Sequence, residues 1–212
     1  KIFQNPMSND SFFYPQKMGK VMLLGLEEVI GKSGVASILD LGGLAHLSQN
    51  LPPATADKTF GFEAVSQIHQ ALEQQFGPRG GRGLALRAGR ACFKYGIKEY
   101  GSLMGITEMA FRLLPLQTKL RVGAKSFAEL FNKHTDQKVR LEETDEKIYW
   151  HIERCPLCWE RTADEPICHL AVGLLQEALY WVSGGKVFNV EETTCIAQGA
   201  TACTIEIDKT PL

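Results

Sequence analysis

The stretch CHLAVGLLQEALYWVSGGKVFNVEETTCIAQGATACTIEI, from Cys168 to Ile207, decides the reading of this chain. Val172, Leu175, Leu179 and Val182 recur at spacings of three and four, and Leu174, Ala178 and Trp181 widen the stripe. That is the period of a half-buried helix. Ser183-Gly184-Gly185 supplies residues that tolerate positive φ where a helix stops. Val187, Phe188 and Val190 then open a strand. Gln198-Gly199-Ala200 turns, and Cys203 to Ile207 returns with alternating polarity.

Such a hairpin brings Cys195 and Cys203 together, beside the helix that Cys168 opens. Three thiolates and one further donor make a tetrahedral zinc set. Strict alternation puts Glu191 on the face of Cys195. A bulge or a strand end at Glu192 would reverse that. The residues alone leave the choice between Glu191 and Glu192 open.

The run Asp164-Glu165-Pro166-Ile167-Cys168, with Gly173, Gly184, Glu192, Cys195, Gly199 and Cys203, resembles the 4-vinyl reductase domain. That domain is also the sensory half of phenol- and xylene-responsive bacterial activators. It is similar in fold to small subunits of the vesicle-tethering transport protein particle. The resemblance implies a structural zinc held by Cys168, Glu192, Cys195 and Cys203, pinning the C-terminal hairpin to the helix. The segment from Cys168 to Glu192 is one residue longer than in that family, an excess best placed at Gly184-Gly185.

Just upstream, Cys155-Pro156-Leu157-Cys158 forms a CxxC knuckle, which aims two thiolates at one spot. It competes with the Cys168 set. Cys155 and Cys158 are alternative zinc ligands beside Cys195 and Cys203. With Cys168 they are candidates for an iron–sulfur cluster, and otherwise they are spare thiols in a mobile loop. Six cysteines, five of them between 155 and 203, fit metal ligation in a reducing, cytoplasmic setting. Two disulfides in a secreted protein are the other reading.

Lys138 to Glu143 alternates, Thr144-Asp145-Glu146 turns, and Lys147 to Ile152 alternates back. This hairpin joins the C-terminal one in a four-stranded, mostly antiparallel sheet. Several helices pack against it around an apolar cavity, an α+β fold. The helices are expected over Gln16 to Lys32, ended by Ser33-Gly34, then Phe60 to Phe76, Leu84 to Met104, and Thr107 to His134 with a break at Pro115. Gly77 to Gly83 reads as a flexible connector. It lacks the Gly-Lys-Ser/Thr ending of a phosphate loop. Ala85, Ala88, Gly89, Ala91 and Gly96 let another helix or an elongated ligand approach closely. Cys92 reads as a buried structural thiol, and His46 as an ordinary core or surface residue. Residues 1–15 are expected to be an irregular N-terminal extension, and 16–212 a single 4-vinyl-reductase-like ligand-binding domain.

The chain has 212 residues, 44% of them hydrophobic, and a net charge of −1. Nothing in that balance suggests nucleic acid or an anionic membrane as partner. No apolar run approaches the roughly 20 residues of a membrane span. Nucleophile elbow, dinucleotide fingerprint and HExxH are all missing from the sequence. The expected function is therefore a binding module for a small or elongated hydrophobic molecule: an aromatic compound, an acyl chain or a tetrapyrrole. Trp150, Trp181 and Tyr149 are its candidate lining. Two further readings stand beside it. The family name implies an enzyme or accessory protein in (bacterio)chlorophyll vinyl-group reduction. The tethering subunits imply a dimeric interaction protein, joined through the Gln16–Lys32 helix as a homodimer.

Overall fold

The computed structural model describes residues 11–105 and 109–212. The first element, β1 (Phe13–Pro15), leads directly into the long helix α1 (Gln16–Leu41). After α2 (His46–Gln49), β2 (Lys58–Gly61) returns to pair antiparallel with β1. Residues 13–15 are thus strand, not the irregular extension expected, while residues 1–10 of that extension lie outside the described residues. The reason is aromatic anchoring. Tyr14 packs edge-on against Phe62 at 5.2 Å, and Phe12 packs against Trp159 at 5.3 Å.

α1 does not end at Ser33-Gly34. It kinks at Gly31 (φ 70°) and resumes, carrying Val35, Ile38 and Leu39 into the core. The same device recurs in α3 (Phe62–Met104), where Gly77 takes φ 74° and ψ 166°. Only glycine adopts this conformation readily. Pro78 follows, at the start of the next helical leg, where its missing N–H has no partner to lose. The glycine-rich run expected as a connector is therefore helix. Its Gly81 lies so close to the Glu73 backbone that an added Cβ would come within 2.8 Å of Glu73 Cα.

Beyond α4 (Met109–Arg112), Pro115 caps α5 (Leu116–His134), so the break expected at Pro115 is present. β3 (Lys138–Glu143) and β4 (Lys147–Arg154) form the expected hairpin. α6 (His169–Ser183) follows, then β5 (Val190–Thr194), a 3₁₀ turn (Ile196–Gln198) and β6 (Cys203–Asp208). The four strands order as β3-β4-β6-β5, every pair antiparallel. The fold is α+β. Alternation turns Ile148, Trp150 and Ile152 of β4, and Cys203, Ile205 and Ile207 of β6, inward.

α6 lies between that sheet and α3. The crossing is a backbone contact: a Cβ on Gly89 would sit 2.1 Å from Leu170 O, and one on Gly173 would sit 2.0 Å from Leu86 O. Small residues in α3 thus serve helix packing, one of the two uses expected. α1 is a core element, with Leu23 and Leu26 almost wholly buried within this chain. Among the described residues no helix is long and apolar enough to cross a membrane.

Candidate metal centre and adjoining cavity

Cysteines at the ends of different elements converge on one buried point. Cys155 follows β4 directly, Cys158 closes the CxxC turn, and Cys168 precedes α6. Cys195 follows β5, and Cys203 opens β6. All are free and buried. Cys155 Sγ lies 3.5 Å from Cys168 Sγ, and Cys158 Sγ lies 3.4 Å from Cys203 Sγ. Cys168 Sγ is 3.8 Å from Cys195 Sγ and 3.7 Å from Cys203 Sγ, and Cys195 and Cys203 are 3.7 Å apart. A disulfide needs about 2.05 Å. Zinc–thiolate bonds of about 2.3 Å, set at tetrahedral angles, space their sulfurs by about 3.8 Å.

Two sets of donor atoms each lie within 4.8 Å of one another: Cys155, Cys158, Cys168 and Cys203, and Cys168, Glu192, Cys195 and Cys203. The choice between Glu191 and Glu192 is decided by a register shift. β5 pairs Glu192 with Ile205 and Thr194 with Thr204, so Thr193 is a bulge residue. The bulge turns Glu192 inward with Cys195 and leaves Glu191 exposed. Glu192 Oε2 accepts the Cys168 N–H at 2.7 Å, and Glu192 Oε1 is buried without a partner. Burial, then the neighbouring Cys195, pushes its carboxyl up to about 8.

The thiols also act on one another. Hydrogen bonds, that from Cys155 first, hold the Cys158 thiol far below its ordinary value. The same contact with Cys155 leads the causes that raise Cys168 and Cys203. The Cys203 sulfur additionally accepts the Ile196 N–H at 3.3 Å. Buried sulfurs at these spacings, with an orphaned carboxylate oxygen, fit a thiophilic divalent cation. The CxxC loop is buried from Cys155 to Cys158, and Ser66 Oγ donates to Trp159 O at 2.8 Å. It is not the loose loop of spare thiols that was one of the expectations.

Cys155 also borders a second feature. A cavity enclosing about 900 Å³ of atom-free space, counting solvent at its mouth, lies between α1, α3, α5, α6 and β4. Met18, Val21 and Met22 line it from α1, Phe93, Ile97 and Met104 from α3, and Phe127, Leu130 and Phe131 from α5. Its polar groups are few. Tyr14 Oη donates to Gln137 Oε1, and Tyr100 Oη is buried without a partner. Burial raises the Tyr100 phenol and pushes the Cys92 thiol, also in the wall, up to about 12.

Of the aromatic residues expected to line a cavity, Trp150 does so. Tyr149 does not: strand alternation puts it on the opposite face, stacked on His151 at 6.2 Å. Trp181 also lies outside the lining and packs behind Phe93 at 6.3 Å. The sequence reading missed Tyr100 and Phe93. Their spacing with Cys92 and Gly96 on one helix was the available signal.

The fold as a whole is shared with solved H-NOX proteins. A doubly substituted H-NOX protein, labelled Tt, is 12% identical and aligns over 93% of this chain and 96% of its own, with a TM-score of 0.56. The Fe(II) unliganded H-NOX protein from K. algicida is 14% identical over 92% of this chain and 96% of its own, with a TM-score of 0.55. A third H-NOX structure, concerned with haem distortion in that family, is 13% identical over 93% of this chain and 96% of its own, with a TM-score of 0.54. Within that fold, residues 148–209 match the family model of the 4-vinyl reductase domain. The matched segment runs from β4 through β6 and carries the whole thiol cluster with Glu192. No curated protein sequence matches the chain.

Proposed function

We propose that this chain is a binding module for a small hydrophobic molecule, held in the apolar cavity, with zinc as a structural pin at the thiol cluster. The observation that carries it is the cavity wall. It is almost wholly apolar and adaptable, rich in Met and Phe, with one unpartnered hydroxyl, Tyr100 Oη. The wall solvates an aromatic ring or an acyl chain. Tyr100 suits one oxygen on that ligand.

Cys168, Glu192, Cys195 and Cys203 would hold the metal, with Cys155 and Cys158 as further donors. The metal would join the start of α6 to both strands of the C-terminal hairpin. Binding there adds directly to folding stability, because the unfolded chain has no preformed site. Four protein donors leave no open coordination position, which favours a structural role over catalysis.

A tetrapyrrole is the second ligand class, supported by the shared fold with H-NOX proteins. The residues favour it less. The described lining includes no histidine, and burial keeps the Cys92 thiol and Tyr100 phenol protonated, hence weak iron ligands.

The test is native mass spectrometry of the purified chain, with metal analysis and an absorption spectrum of the same sample. Zinc together with a colourless hydrophobic adduct is the expected result. Iron with visible absorbance would overturn the reading. So would a chain free of metal after growth in zinc-supplemented medium.

A further inference from the structure

The two donor sets share Cys168 and Cys203 and nothing else. Together they comprise Cys155, Cys158, Cys168, Glu192, Cys195 and Cys203. Six donors are what two tetrahedra sharing one edge require. The shared edge would be the Cys168–Cys203 pair, whose sulfurs are 3.7 Å apart, close to the tetrahedral edge of about 3.8 Å. From these overlapping sets we infer that the cluster is a binuclear site for two zinc-class ions, bridged by the thiolates of Cys168 and Cys203. One ion is completed by the CxxC pair, Cys155 and Cys158. The other is completed by Cys195 and Glu192.

This goes beyond a single structural zinc and rests on the metal part of that reading. A mononuclear site on the carboxylate set would leave Cys155 and Cys158 as bystanders. Yet their sulfurs lie 3.5 and 3.4 Å from Cys168 and Cys203, at ligand spacing rather than at the fringe. A mononuclear site on the four cysteines would leave Glu192 Oε1 buried and unpartnered. Occupation of both tetrahedra satisfies every donor. A four-iron cluster is the poorer fit, because it places its thiolates on separate irons rather than on a common ion.

The charges come close to balance. Binding two divalent ions releases the remaining thiol and carboxyl protons to solvent. Five thiolates and one carboxylate against two divalent ions leave a modest negative excess. The α6 N-terminus at Cys168 and the Ile196 N–H on Cys203 face that excess. The site also meets the ligand cavity, because Cys155 belongs to both.

The experiment is a Co²⁺ titration of the full-length, metal-stripped and reduced chain, followed by absorption and electron paramagnetic resonance, with native mass spectrometry of the zinc form. Two ions per chain are expected. The paramagnetic signal should rise over the first equivalent and fall over the second, because shared thiolates couple the two spins. Cys158→Ser should retain one ion and lose the fall in signal. Cys195→Ser should behave likewise at the other half. A single ion per chain in the folded wild type, confirmed by circular dichroism, would overturn the binuclear site and leave the single zinc standing. Two ions with uncoupled spins would overturn the bridge. No bound ion at all would overturn both readings.

Discussion

The backbone N–H of Cys168 donates to Glu192 Oε2 at 2.7 Å, joining the start of α6 to the bulge of β5. The bond ties a helix terminus, a strand and the thiol cluster together. It is buried, so its loss strands a donor away from water. Glu192→Ala is expected to lower the stability of the metal-stripped protein by about 1–3 kcal/mol. Glu192→Gln keeps an acceptor and should lose less than half of that. Urea unfolding of the stripped forms measures both. Equal losses for the two variants would show that the hydrogen bond contributes nothing.

Gly173 and Gly83 are both helical glycines with opposite surroundings. A Cβ at Gly173 would meet Leu86 O at 2.0 Å, whereas one at Gly83 would meet nothing within 4 Å. Gly173→Ala should force α6 off α3 and destabilise by about 2 kcal/mol or more, or abolish folding. Gly83→Ala should stabilise by about 0.5–1 kcal/mol through helix propensity and a stiffer unfolded chain. Thermal melts of the pair, with intact metal, test the helix crossing.

Gly96 stands in the cavity wall, and its added Cβ would have only Val21 Cγ1 nearby, at 3.9 Å. Gly96→Phe is therefore expected to fill the cavity without unfolding the chain. Binding of a fluorescent acyl probe should fall at least about tenfold, the equivalent of ~1.4 kcal/mol. Tyr100→Phe should leave a pure hydrocarbon bound as before and weaken a phenol or a fatty acid. Unchanged phenol binding in Tyr100→Phe would remove the hydroxyl from the recognition scheme.

His69 is buried against Val65, its Nδ1 donating to the Val65 carbonyl at 2.9 Å, and burial lowers it to about 4. In the unfolded chain a histidine titrates near 6.5, so its contribution changes between those values. As pH falls through about 6.5, the unfolded chain takes up a proton that the folded chain refuses until about 4. Stability attributable to His69 is thus full above pH 6.5 and drains away toward pH 4, by up to about 1.4 kcal/mol per pH unit. His69→Gln keeps a donor for Val65 without titrating. Its unfolding free energy should fall less steeply than the wild type's between pH 6.5 and 5. Parallel slopes would contradict the assignment.

The local rules read well where one element sets its own conformation. Alternation placed β3 and β4, and period and Pro115 placed α5 and its start. The three- and four-residue apolar spacing placed α6. They read poorly where conformation is chosen by distant contacts. Nothing local marks Gly81 as helical, because what holds it there is Glu73 across the Gly77 kink. Likewise β1 exists because β2 pairs with it and Phe62 and Trp159 receive its aromatic neighbours.

The candidate site divides in the same way. Chemistry is a property of the sequence: five clustered cysteines and a nearby glutamate announce a soft-metal site before any coordinates. Selection among donors is not. Glu191 and Glu192 are adjacent and chemically identical, and one extra residue at Thr193 decides which side chain turns inward. Cys155 and Cys158 are equally ambiguous as a motif. The ends of β4, α6, β5 and β6 meet, and only that meeting puts all the thiols at one point. A residue's donor atom is written in its identity. Its distance from another donor depends on the packing of every element between them.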